Sequence, residues 1–73
     1  MDEQNILKTF GFNFKIFRTK LGLSQEQVAE KTGLSKPYIS NIENGKHSIS
    51  LVNALMLSEL VGKNIESMLK EIE

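Results

Sequence analysis

These 73 residues contain no cysteine and no tryptophan, and only one proline and one histidine. Without thiols there is neither a disulfide framework nor a thiolate metal site, and His47 alone cannot hold a metal, so no cofactor is expected. No apolar run approaches the ~20 residues that a membrane span needs. The opening stretch MDEQNILK lacks the basic-then-apolar layout of a signal peptide, so the expected location is the cytoplasm, with no membrane partner. Nucleophilic catalysis is missing its parts too. There is no thiol and no glycine-rich phosphate cradle, and the histidine sits beside Ser48 without an orienting carboxylate nearby in sequence. Neither an enzyme nor a small-molecule substrate is expected.

An excess charge of either sign is also lacking, because nine basic and nine acidic residues cancel. A chain of this kind does not coat nucleic acid through bulk charge, and its non-specific binding should be weak at physiological salt. The distribution is more informative than the sum. Lys8, Lys15, Arg18 and Lys20 fall in a stretch without an acid, whereas Glu66, Glu71 and Glu73 outnumber Lys63 and Lys70 after Gly62. One end is suited to face an anion and the other to avoid it.

What is present is helical periodicity with clear stops. From about Gln4 to Lys20, Phe10, Phe14, Phe17 and Leu21 recur on one helical face and read as core, with Phe12 and Ile16 off that face. Gly11 costs ~1 kcal/mol relative to Ala inside a helix, so either something packs close to its backbone or the helix starts late. Gly22 ends this helix. Ser24 opens the next with a capping box to Gln27, and Val28 and Ala29 point inward. Gly33 then supplies the positive φ that a tight turn between two steeply crossing helices requires. Leu34 plugs the corner, Ser35 caps the following helix, and Ile39 and Ile42 face the core. Pro37 is tolerable only in the first turn, where its missing donor has no helical partner.

Asn44-Gly45 stops that helix, and Lys46, His47 and Ser48 form a polar connection with Ile49 tucked beneath. Ser50 caps a fourth helix with Leu51, Leu55 and Ala54 or Ser58 inward, and Asn64 caps a fifth with Ile65, Met68, Leu69 and Ile72 apolar. The expectation is an all-α, compact five-helix fold in one domain, residues 1–73, organised on the pair at about 24–45. A domain this small buries only ~60% of its unfolded surface, so oligomerisation is the expected support. Val52 and Met56 lie off the face assigned to Leu51 and Leu55. With Leu60, Leu69 or Ile72 they are candidates for a dimer seam.

An α-helix fits the DNA major groove, and a helix pair of fixed crossing angle lets one member rest on the backbone while the other enters. On the helix after Gly33, the positions free of core duty are Lys36, Pro37, Tyr38, Ser40, Asn41 and Asn44. Lysine can donate to guanine O6 and N7, asparagine can pair with adenine N6 and N7, and a proline or tyrosine carbon edge can touch a thymine methyl. Gln25 and Ser35 stand at helix N-termini where backbone N–H groups meet phosphate, and Lys46, His47 and Ser48 can grip the backbone beyond.

LGLSQEQVAEKTGLSKPYISNIENGK, from Leu21 to Lys46, resembles the phage-repressor and Cro-like helix-turn-helix family, also called XRE-type. SISLVNALMLSELVGKNIESML resembles that family's fourth and fifth helices, so the likeness to a lambda-repressor-like domain extends over the whole chain. Tyr38 to Ser40 is similar to restriction-modification controller proteins within the family. The resemblance implies a homodimeric transcriptional regulator, repressor or activator, reading a pseudo-palindromic operator in double-stranded DNA. It implies phosphate contact by Gln25, base reading by Lys36, Pro37, Ser40 and Asn41, backbone contact by Asn44, and an ion pair of Arg18 with Glu43. Pro37 departs from the polar base reader common at its position. A helical protein-interaction module, such as an antitoxin-like adaptor, is the alternative; sequence-selective binding to duplex DNA separates the two.

Overall fold

The computed structural model describes residues 2–71. Five helices follow one another without a strand among these residues: α1 (Glu3–Lys20), α2 (Gln25–Thr32), α3 (Lys36–Glu43), α4 (Leu51–Leu60) and α5 (Ile65–Met68). No helix among them is long and apolar enough to cross a membrane.

Each boundary has a local chemical cause. Asp2, Ser24, Ser35, Ser50 and Asn64 are extended, and each side chain accepts from a backbone N–H in the helix it precedes. At α2 the exchange is reciprocal. Gln27 N donates to Ser24 Oγ at 3.0 Å while Ser24 N donates to Gln27 Oε1 at 2.8 Å, which satisfies two donors that a helix start leaves free. Pro37 is the second residue of α3, inside the permitted first turn. α3 ends where Lys46 N returns to the Asn41 carbonyl at 3.0 Å.

The core gathers Phe10 and Phe14 of α1, Val28 of α2, Ile39 and Ile42 of α3, Ala54 and Leu57 of α4, Val61, and Met68 of α5. Here α1 packs against α3 and α5, α2 against α3, and α4 against α5. Phe17 is half-buried, with the Lys63 ammonium 4.9 Å from its ring centroid. Gly11 proves to be a point of close approach. A Cβ there would meet the Ile42 carbonyl oxygen at 2.1 Å and that of Glu43 at 2.9 Å, so α1 runs unbroken through this glycine with the end of α3 pressed onto its backbone.

Three sequence expectations are corrected. Leu21 is exposed, because it has become the C-cap of α1. In α4, Leu51 is 71% and Leu55 43% exposed, while Ala54, Leu57 and Ser58 are buried. The reason is that LVNALMLSEL is apolar on nearly every side, so periodicity has no preferred direction and the partner helices choose the face. Ser58 is tolerated inside because its hydroxyl donates to the Ala54 carbonyl at 2.7 Å. Finally, α5 is a single turn with Leu69 as its C-cap, and Ile72 lies outside the described residues.

Gly11→Ala should destabilise the fold by about 3 kcal/mol, the upper part of the overpacking range, because the new methyl meets backbone rather than a flexible side chain. Urea denaturation of the variant beside the parent protein measures it.

Candidate nucleic-acid interface

The α2–α3 pair is set at an angle by its turn. Gly33 lies at φ 77°, ψ 3°, and its N–H closes α2 on the Ala29 carbonyl at 2.8 Å. Thr32 Oγ1 donates to the Val28 carbonyl at 2.8 Å and accepts from Leu34 N at 3.2 Å, so the corner's polar groups are used inside the turn. Ser35 is then extended and starts α3 in a new direction, with Ile39 and Ile42 buried behind it.

The far end of α3 is held by charge. Arg18 Nε donates to Glu43 Oε2 at 2.6 Å, Nη2 to Oε1 at 3.0 Å, and Nη1 to the Leu23 carbonyl at 2.8 Å. Gln25 Nε2 adds a third donor to the same carboxylate, at 3.0 Å from Oε1. With the Arg18 and Glu43 side chains only 10% and 3% exposed, the forked pair is close to fully desolvated, and each charge needs the other there. It joins the end of α1, the α1–α2 turn, the start of α2 and the end of α3.

At the opposite end of α3, Lys36 Nζ donates to Glu26 Oε1 at 3.2 Å. The first turn of α2 therefore touches both ends of α3, through Gln25 at one and Glu26 at the other.

Between these tethers the outward surface carries Ser35, Lys36, Pro37 and Asn44 exposed, with Ser40 and Asn41 half-exposed. Lys46, His47 and Ser48 follow in the exposed connection, and Gln25 is half-buried at the start of α2. Tyr38 does not join them. It is half-buried against the core, and its hydroxyl accepts from Asn53 Nδ2 of α4 at 3.0 Å. The ring covers apolar surface and the phenol oxygen is engaged by α4, so Tyr38 is set apart from the outward row.

Two polar residues escaped sequence reasoning. Asn53 carries no local signal, since its partner lies 15 residues away. Asn13 did have one, being the polar residue three after Phe10 on the apolar face of α1. It is fully buried, and its Nδ2 donates to the Met68 and Lys70 carbonyls, at 2.7 Å each, which ties the end of α5 to α1.

Comparison with known proteins agrees with this geometry. The family model described as helix-turn-helix, HTH_3, matches residues 14–67. The chain belongs to the helix-turn-helix family. It is 39% identical over 59 residues to the control protein C.MunI of Mycoplasma, which covers 81% of this chain and 80% of that one. Against a hypothetical transcription factor of Neisseria meningitidis it is 33% identical over 61 residues, 84% of this chain, and it spans 58% of that protein's length. The crystal structure of the restriction-modification controller protein C.AhdI from Aeromonas hydrophila superposes with a TM-score of 0.78 at 35% identity, over 85% of this chain and 94% of that one. This helix-turn-helix protein is a DNA-binding regulator of transcription, and α2 and α3 are its helix-turn-helix.

Arg18→Met should destabilise the domain by about 3 to 5 kcal/mol, because it leaves the Glu43 carboxylate buried with only Gln25 as a side-chain donor. Chemical denaturation of the variant gives the difference directly.

Proposed function

We propose that this regulator binds as a homodimer, each copy placing α3 in the major groove of one half of a pseudo-palindromic operator, with residues 1–73 working as one helix-turn-helix domain. The observation that carries the reading is the outward polar row of α3, held at one end by a buried ion pair and free of core duty at the other. Lys36 donates to guanine O6 and N7, Asn41 pairs with adenine, Ser40 accepts or donates at the base between, and Pro37 covers a thymine methyl. Ser35, Asn44, Lys46, His47 and Ser48 hold the phosphates. Gln25 serves two surfaces. One amide hydrogen is on Glu43, and the second remains for phosphate, so a single side chain links the DNA backbone to the buried pair.

For the dimer, the exposed apolar stripe of α4 supports a seam shifted from the sequence expectation. Leu51, Val52 and Leu55 are exposed, and Met56 is half-buried beside them. Leu60 and Leu69 are half-buried against this chain's own core, which favours a seam built on the exposed side chains of α4. Two copies joined along α4 would present their α3 helices about 34 Å apart, one turn of DNA. The likeness to C.MunI and C.AhdI supports a role of the controller type.

Selection of bound sites from a random duplex pool should return a two-fold symmetric sequence. On that duplex, Lys36→Ala or Asn41→Ala should each cost about 1 to 3 kcal/mol and relax preference at one base pair per half-site. Equal mobility-shift titrations on selected and scrambled duplexes would overturn the reading. Leu55→Glu should convert the dimer to monomer in equilibrium sedimentation, and an unchanged mass would place the seam elsewhere.

A further inference from the structure

We propose that Glu26 determines specificity without contacting DNA, by holding Lys36 in place and opposing its use on the phosphate backbone. The inference rests on the reading of Lys36 as a base contact. The two side chains meet at 3.2 Å and are 72% and 55% exposed, so their ion pair adds little to folding, and its position beside the outward face of α3 asks for another role. Glu43, the carboxylate at the other end of α3, is buried and matched by Arg18. Glu26 is thus an open negative charge in the first turn of α2, at the edge of the surface that must approach phosphate.

Its two effects act in the same direction. A lysine ammonium has three donors on a flexible four-carbon stem, and one donor on Glu26 Oε1 leaves two for guanine O6 and N7. Less side-chain freedom is then lost when the correct base is met. At a wrong base, a free ammonium would turn to the nearest phosphate, but one paired with Glu26 must first give up that partner. Because the chain has zero net charge, local charge of this kind is a large share of what governs its non-specific binding.

The test uses the full chain, the duplex recovered by selection and a scrambled duplex, with affinities measured across a salt series. Glu26→Gln should bind the scrambled duplex more tightly and lower the ratio of selected to scrambled affinity by about two- to fivefold, the range available to an exposed ion pair. Glu26→Asp keeps the charge but is one methylene shorter, and should lower the ratio by weakening the contact alone. Glu30→Gln is the charge control, since Glu30 is exposed on the same helix and has no ion-pair partner among the described residues. It should raise both affinities and leave the ratio unchanged. In a Lys36→Met background, Glu26→Gln should no longer alter the ratio. An unchanged ratio in both Glu26 variants, an equal fall with Glu30→Gln, or an effect that persists without Lys36 would overturn the proposal while leaving sequence-specific binding intact. If the parent protein fails to discriminate between the duplexes, the base-reading assignment fails and this proposal with it.

Discussion

A carboxylate with 3% of its side chain exposed needs donors to replace the water it has lost, and Glu43 has three, two from Arg18 and one from Gln25. Those donors come from α1 and α2, whereas the carboxylate belongs to α3, so the charge is satisfied only when the three helices take one relative orientation. Apolar contact is non-directional and would tolerate sliding; a forked guanidinium-carboxylate pair does not. The third Arg18 donor, on the Leu23 carbonyl, brings the α1–α2 turn under the same constraint.

Gly11 reinforces this at the same place. The end of α3 lies against the bare backbone of α1, close enough that a methyl on Gly11 would overlap the Ile42 carbonyl oxygen. The approach that brings Glu43 to Arg18 thus depends on a missing side chain as well as on a charge. Asn13, two residues beyond Gly11 on the same helix, ties the single turn of α5 to α1 through two carbonyls. A domain with only a small apolar core uses α1 as a post to which polar contacts attach the later helices.

The two ends of α3 have opposite characters as a result. The C-terminal end is desolvated and fixed by Glu43, and the N-terminal end is open, carrying Pro37 and a Lys36 whose only ion pair among the described residues is solvent-exposed. A rigid end sets the angle at which the helix meets a partner, and a lightly held end leaves side chains that can exchange one acceptor for another. The first turn of α2 connects both, through neighbouring residues.

By itself the sequence determined what depends on neighbours within a few positions. The caps at Ser24, Ser35, Ser50 and Asn64 and the left-handed turn at Gly33 were legible because a side chain bonds the backbone three residues on, or because one backbone angle excludes a Cβ. The apolar face of α1 was legible at Phe10 and Phe14, which recur one helical turn apart. The pairing of Arg18 with Glu43 came from family resemblance, since 25 residues separate them. Tertiary structure alone decided which side of α4 is buried, because Leu51, Val52, Leu55 and Leu57 are equally apolar and only the helices around them distinguish one face from another. It decided in the same way that Tyr38 turns to Asn53, that Gln25 reaches Glu43 and that Glu26 meets Lys36. Each of those contacts joins residues at least ten apart, and no local periodicity encodes the relative placement of two helices.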